Sequence, residues 1–231
     1  MKETYKPDHL LGKRYPKDWA KEDLEEFASN TTTRQGITIP VNVEIKADQK
    51  VFDYSALEEI LKRVTKYAVI DCKCRTTLEN CDAPKDVCLT FDEAAEKTVE
   101  SGERNARFIS YDEALDAVKR AQESGLVHMA YIREGKEYPS SVCGCCTCCC
   151  GILGGILRFG VNSPIKLVTS DKIASYNSDA CIGCGVCFDR CHFDAWEING
   201  NKPVCHAERC YGCGNCATTC PSQAVHMINR H

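Results

Sequence analysis

No run of apolar residues in this chain is long enough to cross a bilayer, and none of signal-peptide length follows Met1-Lys2-Glu3-Thr4-Tyr5-Lys6. The expectation is a cytoplasmic protein without a transmembrane segment. The glycine fingerprints of nucleotide sites are missing too. Gly151 to Gly155 fits neither GxGxxG nor a P-loop, which argues against flavin, nicotinamide or ATP binding. Nor is there a surplus of cations, since 29 Lys and Arg stand against 33 Asp and Glu for a net charge of −4. Nucleic acid is therefore not expected as a partner, because affinity for phosphate needs clustered positive charge. No general base or substrate pocket is recognisable, and no residue is assigned a catalytic role.

Cysteine, by contrast, is abundant: 19 of 231 residues. In a short secreted chain such a count would suggest a disulfide scaffold. Here the cysteines sit as close neighbours at metal-ligand spacing, and a reducing, oxygen-poor cytoplasm is the consistent setting. The length allows more than one domain.

The tail reads Cys181-Ile-Gly-Cys184-Gly-Val-Cys187-Phe-Asp-Arg-Cys191 and then Cys210-Tyr-Gly-Cys213-Gly-Asn-Cys216-Ala-Thr-Thr-Cys220-Pro221. Both runs are CxxCxxCxxxC, an internal repeat offset by 29 residues. A cubane needs four converging thiolates, and a short loop supplies three if its backbone bends sharply. Gly183, Gly185, Gly212 and Gly214 permit the bend. Trp196, Ile198 and Val204 alternate around Asn199-Gly200-Asn201, which predicts a hairpin joining the halves. This stretch resembles the two-cluster [4Fe–4S] ferredoxins over roughly residues 171 to 231. The resemblance implies a (βαβ)2 fold with crossed ligation: Cys181, Cys184, Cys187 and Cys220 for one cluster, Cys210, Cys213, Cys216 and Cys191 for the other. His192 stands where the ferredoxin pattern usually has the proline that Pro221 provides in the second half.

Two further cysteine groups lie upstream. Cys72, Cys74, Cys81 and Cys88 fall within seventeen residues, enough to close one [4Fe–4S] cluster or, alternatively, a zinc site made of four thiolates. Cys143, Cys145, Cys146, Cys148, Cys149 and Cys150 occupy eight residues. Successive side chains diverge, so these six cannot all reach one metal. Together the ten suffice for two four-thiolate sites with two to spare, which predicts one or two further clusters, the two groups folding onto each other with ligands open to exchange between them. Gly151 to Phe159 is expected to form an apolar turn or helix over them. Cys205 reads as a small buried hydrophobe near a cluster, and His128 as a satisfied core histidine.

Ahead of these motifs, residues 1–50 read as an arm, with Asp18 capping a short helix over Trp19 to Ala28 and an edge strand over Ile37 to Ile45. Capping boxes at Ser55/Glu58, Thr90/Glu93 and Ser110/Glu113 predict three helices, the third ending at Gly125. A strand over Leu126 to Ile132 and a turn around Glu134-Gly135-Lys136 follow. The expected fold class is α+β: a small helical, winged-helix-like Cys-rich domain over 51–165, then a ferredoxin-like dicluster domain over 171–231. The third helix exposes Asp112, Glu113, Asp116 and Glu123, so a DNA-reading role is not favoured.

The Cys72 to Arg75, Cys81 to Cys88, Cys145 to Leu153 and Cys181 to Cys220 segments together resemble a set of ferredoxin-like proteins of anaerobic microbes. That likeness implies electron transfer, as a carrier or as an electron-input subunit serving an oxidoreductase partner. The dense motif is also similar to the cysteine-pair sequences of heterodisulfide reductase subunits, but lacks their long, regular separation. An enzyme with a catalytic cluster at Cys143 to Cys150, or a redox-sensing regulatory module, are the alternatives.

Overall fold

The computed structural model describes residues 15, 17–31, 49–52, 54–132, 138–159, 169–200 and 202–230. The strand expected over Ile37 to Ile45 and the turn around Gly135 lie outside them. The middle of the chain is built on a six-stranded antiparallel sheet in the order β1-β5-β6-β3-β2-β4. Its strands are β1 (Gln49–Phe52), β2 (Tyr67–Ile70), β3 (Cys88–Phe91), β4 (Arg107–Ile109), β5 (Val127–Ile132) and β6 (Pro139–Cys145). Between them run α2 (Tyr54–Leu61), α3 (Lys73–Leu78), α4 (Asp92–Glu100) and α5 (Tyr111–Glu123). This is far more sheet than the helical module expected from the sequence.

One of the predicted caps is not formed. Thr90, expected to cap a helix, is paired with Ala68 of β2 and Ser141 of β6, so its backbone belongs to a ladder. Helix α4 starts after Phe91 with no side-chain cap. The Asp92 carboxylate instead accepts from the backbone N–H groups of Thr65 and Lys66 at 2.9 and 3.1 Å. The box at Ser110 forms as expected, with Ser110 Oγ accepting from Glu113 N–H and the Glu113 carboxylate accepting from Ser110 N–H. Gly125 turns the chain out of α5 at φ +73°.

Strand side chains alternate between faces, and here the two faces differ in chemistry. Val69, Leu89, Val142 and Ala130 face α2 and α5 and build an apolar core with Leu57, Leu61, Ala114, Ala117 and Val118. Ile70, Cys88, Cys143, Cys145, Met129 and Val127 occupy the opposite face. The sheet thus separates an ordinary core from a layer of thiols. Helix α6 (Gly151–Phe159) lies on the thiol side, its Leu153 fully buried with Val127 and Met129. The arm docks on it: α1 (Lys21–Thr31) buries Leu24 against Gly155, where a Cβ would come within 2.8 Å of Leu24 Cδ1.

The tail runs β7 (Lys172–Tyr176), α7 (Val186–Asp189), β8 (Trp196–Asn199), β9 (Lys202–Cys205), α8 (Asn215–Thr218) and β10 (Val225–Asn229). β7 pairs with β10, and β8 pairs with β9 about Gly200. This is the doubled βαβ arrangement read from the repeat. Gly183, Gly185, Gly212 and Gly214 all have φ between +70° and +79°, the bends the spacing required.

Tail and sheet share one core. Trp196, Phe193, Cys187, Cys191 and Val225 pack in the same buried cluster as Val127, Met129, Cys145, Cys150 and Leu153. A polar lock sits beside it: the carbonyl of Gly125 accepts from His192 Nε2 at 2.6 Å and from Asn215 Nδ2 at 3.0 Å. Gln122 Nε2 donates to Asn215 Oδ1 and Thr218 Oγ1. His192 in the proline position is therefore an anchor between the two parts.

Candidate metal centres

The ten upstream cysteines divide six and four, and chain order does not predict the division. Cys143 and Cys145 are two apart on β6 and share a face, Cys88 opens β3, and Cys72 and Cys74 flank the start of α3. Cys150 leads into α6. Their thiols neighbour one another in the order Cys143, Cys88, Cys72, Cys74, Cys150, Cys145. Hydrogen bonds from Cys74 and Cys88 draw Cys72 down to about 2. The same sharing, with bonds to Cys150 and Cys143, pushes Cys74 and Cys88 above the usual thiol range.

The other four are Cys81, Cys146, Cys148 and Cys149, whose Sγ atoms all lie within 4.8 Å of one another. Cys81 to Cys146 and Cys148 to Cys149 are each 3.8 Å. Hydrogen bonds from Cys148, Cys149 and Cys81 hold the Cys146 thiol well below its ordinary value. So Cys81 does not join Cys72, Cys74 and Cys88 as sequence proximity suggested: the six residues of α3 carry the chain away from the sheet before Cys81. The dense run splits because Cys143 and Cys145 ride on a strand, while Cys146, Cys148 and Cys149 sit in a turn closed by Cys150 N–H to Cys146 O at 3.1 Å.

Between the two groups lies Arg75, fully buried. Its Nη1 donates to Gly144 O at 2.8 Å and lies 3.8 Å from Cys146 Sγ, while Nε and Nη2 meet no hydrogen-bond acceptor among the described residues. Burial works against its charge, but the neighbouring Cys72, Cys146 and Cys88 sulfurs more than offset this and hold the guanidinium more firmly protonated than usual. A buried cation without a carboxylate needs another anion, and the thiolates on both sides supply it. The sequence placed Arg75 in a CxCR motif without giving it this role.

In the tail, Cys191, Cys210, Cys213 and Cys216 line one pocket, walled also by Phe193, Trp196 and Tyr211. Phe193 stacks on Tyr211 at 4.4 Å. Four sulfurs converging behind aromatic walls is the donor set and the water exclusion a cubane requires, so these residues fit the group. Of the other set, Cys187 is buried beside Cys181 and Cys184, Cys184 is exposed next to Ile182 (68% exposed), and Cys220 is half-buried after α8. Gly212 is pressed against the Lys172 carbonyl oxygen, which any Cβ there would overlap. Cys205 is half-buried, its Sγ 3.6 Å from Ala174 O. Its hydrogen bond to Cys210 brings that thiol down to about 6.

His128 is buried as expected, but its Nε2 has no hydrogen-bond partner among the described residues, and burial lowers its pKa to about 4. Among the described residues, no helix is long and apolar enough to cross a membrane.

No curated protein matches the chain. Residues 180–224 match the family model described as a 4Fe-4S dicluster domain, and this C-terminal part of the chain is a ferredoxin-like iron–sulfur domain.

Proposed function

We propose that the chain is an electron carrier or electron-input subunit in which the tail and the sheet-borne thiols form one relay serving an oxidoreductase. The dicluster match supports an iron–sulfur electron-transfer role. In this reading Cys181, Cys184, Cys187 and Cys220 hold one [4Fe–4S] cluster, and Cys210, Cys213, Cys216 and Cys191 hold the other. Cys72, Cys74, Cys88, Cys143, Cys145 and Cys150 supply the ligands of a further cluster, with two thiols beyond the four a cubane needs. Such clusters change iron oxidation state with little motion. The protein's part is to fix the ligands, exclude water and set the spacing.

The observation that carries the proposal is the shared core, in which tail cysteines Cys187 and Cys191 and sheet cysteines Cys145 and Cys150 belong to one buried cluster. Exposed Cys184 and Ile182 mark the outer end, where a redox partner would dock, and the sheet-borne thiols are the inner end.

Iron and acid-labile sulfide counted on the anoxically purified chain test this. About twelve iron per chain are expected, about eight from the tail and four from the sheet, the latter lost in Cys72→Ala with the tail's spectrum intact. A count of eight, unchanged by Cys72→Ala, would remove the inner centre.

A further inference from the structure

We infer that Cys81, Cys146, Cys148 and Cys149 form a closed site for one tetrahedral zinc ion, distinct in kind from the clusters. The argument begins with size. A single metal bonded to four thiolates at about 2.3 Å places their sulfurs roughly 3.8 Å apart, the edge of a tetrahedron of that radius. A cubane binds each thiolate to a different iron, outward from the core, which spreads the sulfurs to roughly 6 Å. Here all four Sγ atoms lie within 4.8 Å of one another, with two separations of 3.8 Å. The space between them admits one atom and no cubane. Among the described residues this is the one group of metal-ligating side chains so compact.

Charge and enclosure point the same way. Zinc with four thiolates carries a charge of −2, and the buried Arg75 guanidinium, 3.8 Å from Cys146 Sγ and without a carboxylate partner among the described residues, offsets half of it. Cys146, Cys148 and Cys149 are at most 2% exposed. The backbone of the ligand turn is fixed from outside, with Trp19 Nε1 donating to Cys149 O at 2.8 Å and Asn80 Nδ2 to Cys148 O at 2.9 Å. Leu78, Val87, Ala121 and Leu126 complete an apolar jacket. Four protein thiolates with no open position make a structural site, not a catalytic one. Its effect is to staple the loop after α3 to the turn after β6, which orients Cys74 and Cys150 for the neighbouring group.

Zinc K-edge absorption on the full chain, purified without oxygen from iron-replete cells, is the test. The expected result is about one zinc per chain with four sulfur neighbours at about 2.3 Å and no metal–metal scattering. In Cys81→Ser the zinc is lost while tail iron and sulfide are unchanged. Absent zinc, nitrogen or oxygen ligands in the zinc shell, or loss of iron and sulfide instead of zinc in Cys81→Ser, would each overturn the inference. Should Cys81→Ser fail to fold, the spectrum of the unaltered protein decides alone. Zinc and iron are counted separately, so failure of the electron-relay reading and failure of this one give different results.

Discussion

Replacing Arg75 with methionine separates a metal-loaded thiol layer from an empty one. The guanidinium is fully buried, bonds Gly144 O at 2.8 Å, and faces sulfurs of both thiol groups. With metal bound, the sulfurs are thiolates, and Arg75→Met leaves their charge uncompensated in the interior at a cost of about 3–5 kcal/mol. For a chain of this length that corresponds to a fall in Tm of roughly 6–20 °C. After chelation most of the thiols take up protons, while Cys72 and Cys146, held below the usual thiol range, remain ionised beside Arg75. Less negative charge is then left uncompensated, and the loss on Arg75→Met is smaller than in the loaded protein. Anoxic thermal unfolding followed by circular dichroism, before and after chelation, reads both states. Arg75→Lys, which keeps charge but loses the planar fork, falls between. A loaded Arg75→Met protein within about 1 kcal/mol of the parent would refute the reasoning.

Three further outcomes follow from the geometry. Gly125→Ala places a Cβ at φ +73°, a left-handed conformation costly for an L side chain, and displaces the flexible end of Arg190 beside the carbonyl that His192 and Asn215 share, so a loss of about 1–2 kcal/mol is expected. Amide exchange then accelerates at the end of α5 and around His192, while the β7–β10 ladder stays protected. His128 has a pKa near 4 folded against 6.5 free. Between these values the unfolded chain binds the extra proton, so stability rises with pH across that window and falls on acidification, by up to about 3 kcal/mol. His128→Leu flattens that slope in denaturant titrations between pH 6.5 and 4, and an unchanged slope counts against a neutral buried imidazole. Thr90→Val removes a buried hydroxyl that meets no hydrogen-bond partner among the described residues, and should raise stability by about 1 kcal/mol in the same titrations.

The tail was legible because its information is local. Spacing fixes which cysteines share a loop, glycine marks the bends, and duplication exposes the symmetry. The middle was not, because its sheet is non-local. β3 lies between β2 and β6, and β6 comes roughly fifty residues later along the chain. Thr90-Phe-Asp-Glu93 does announce helix α4, yet pairing on both sides of Thr90 draws the expected cap into the sheet, and the helix starts at Asp92 without it. The six-and-four division was hidden for the same reason. That neighbouring side chains diverge could be read from Cys143 to Cys150, but which partner each would meet depends on α3 carrying Cys81 away from the sheet. Trp19 shows the limit well: nothing in its surroundings along the chain announces a bond to Cys149 O, 130 residues on.

A duplicated module has no inherent direction, since either half could face inward. The carbonyl of Gly125 breaks that equivalence, because His192 from the first half and Asn215 from the second reach it from positions the 29-residue offset does not superpose. One oxygen atom thereby gives a direct repeat a front and a back, with Cys184 at the solvent and the aromatic-walled sulfurs buried.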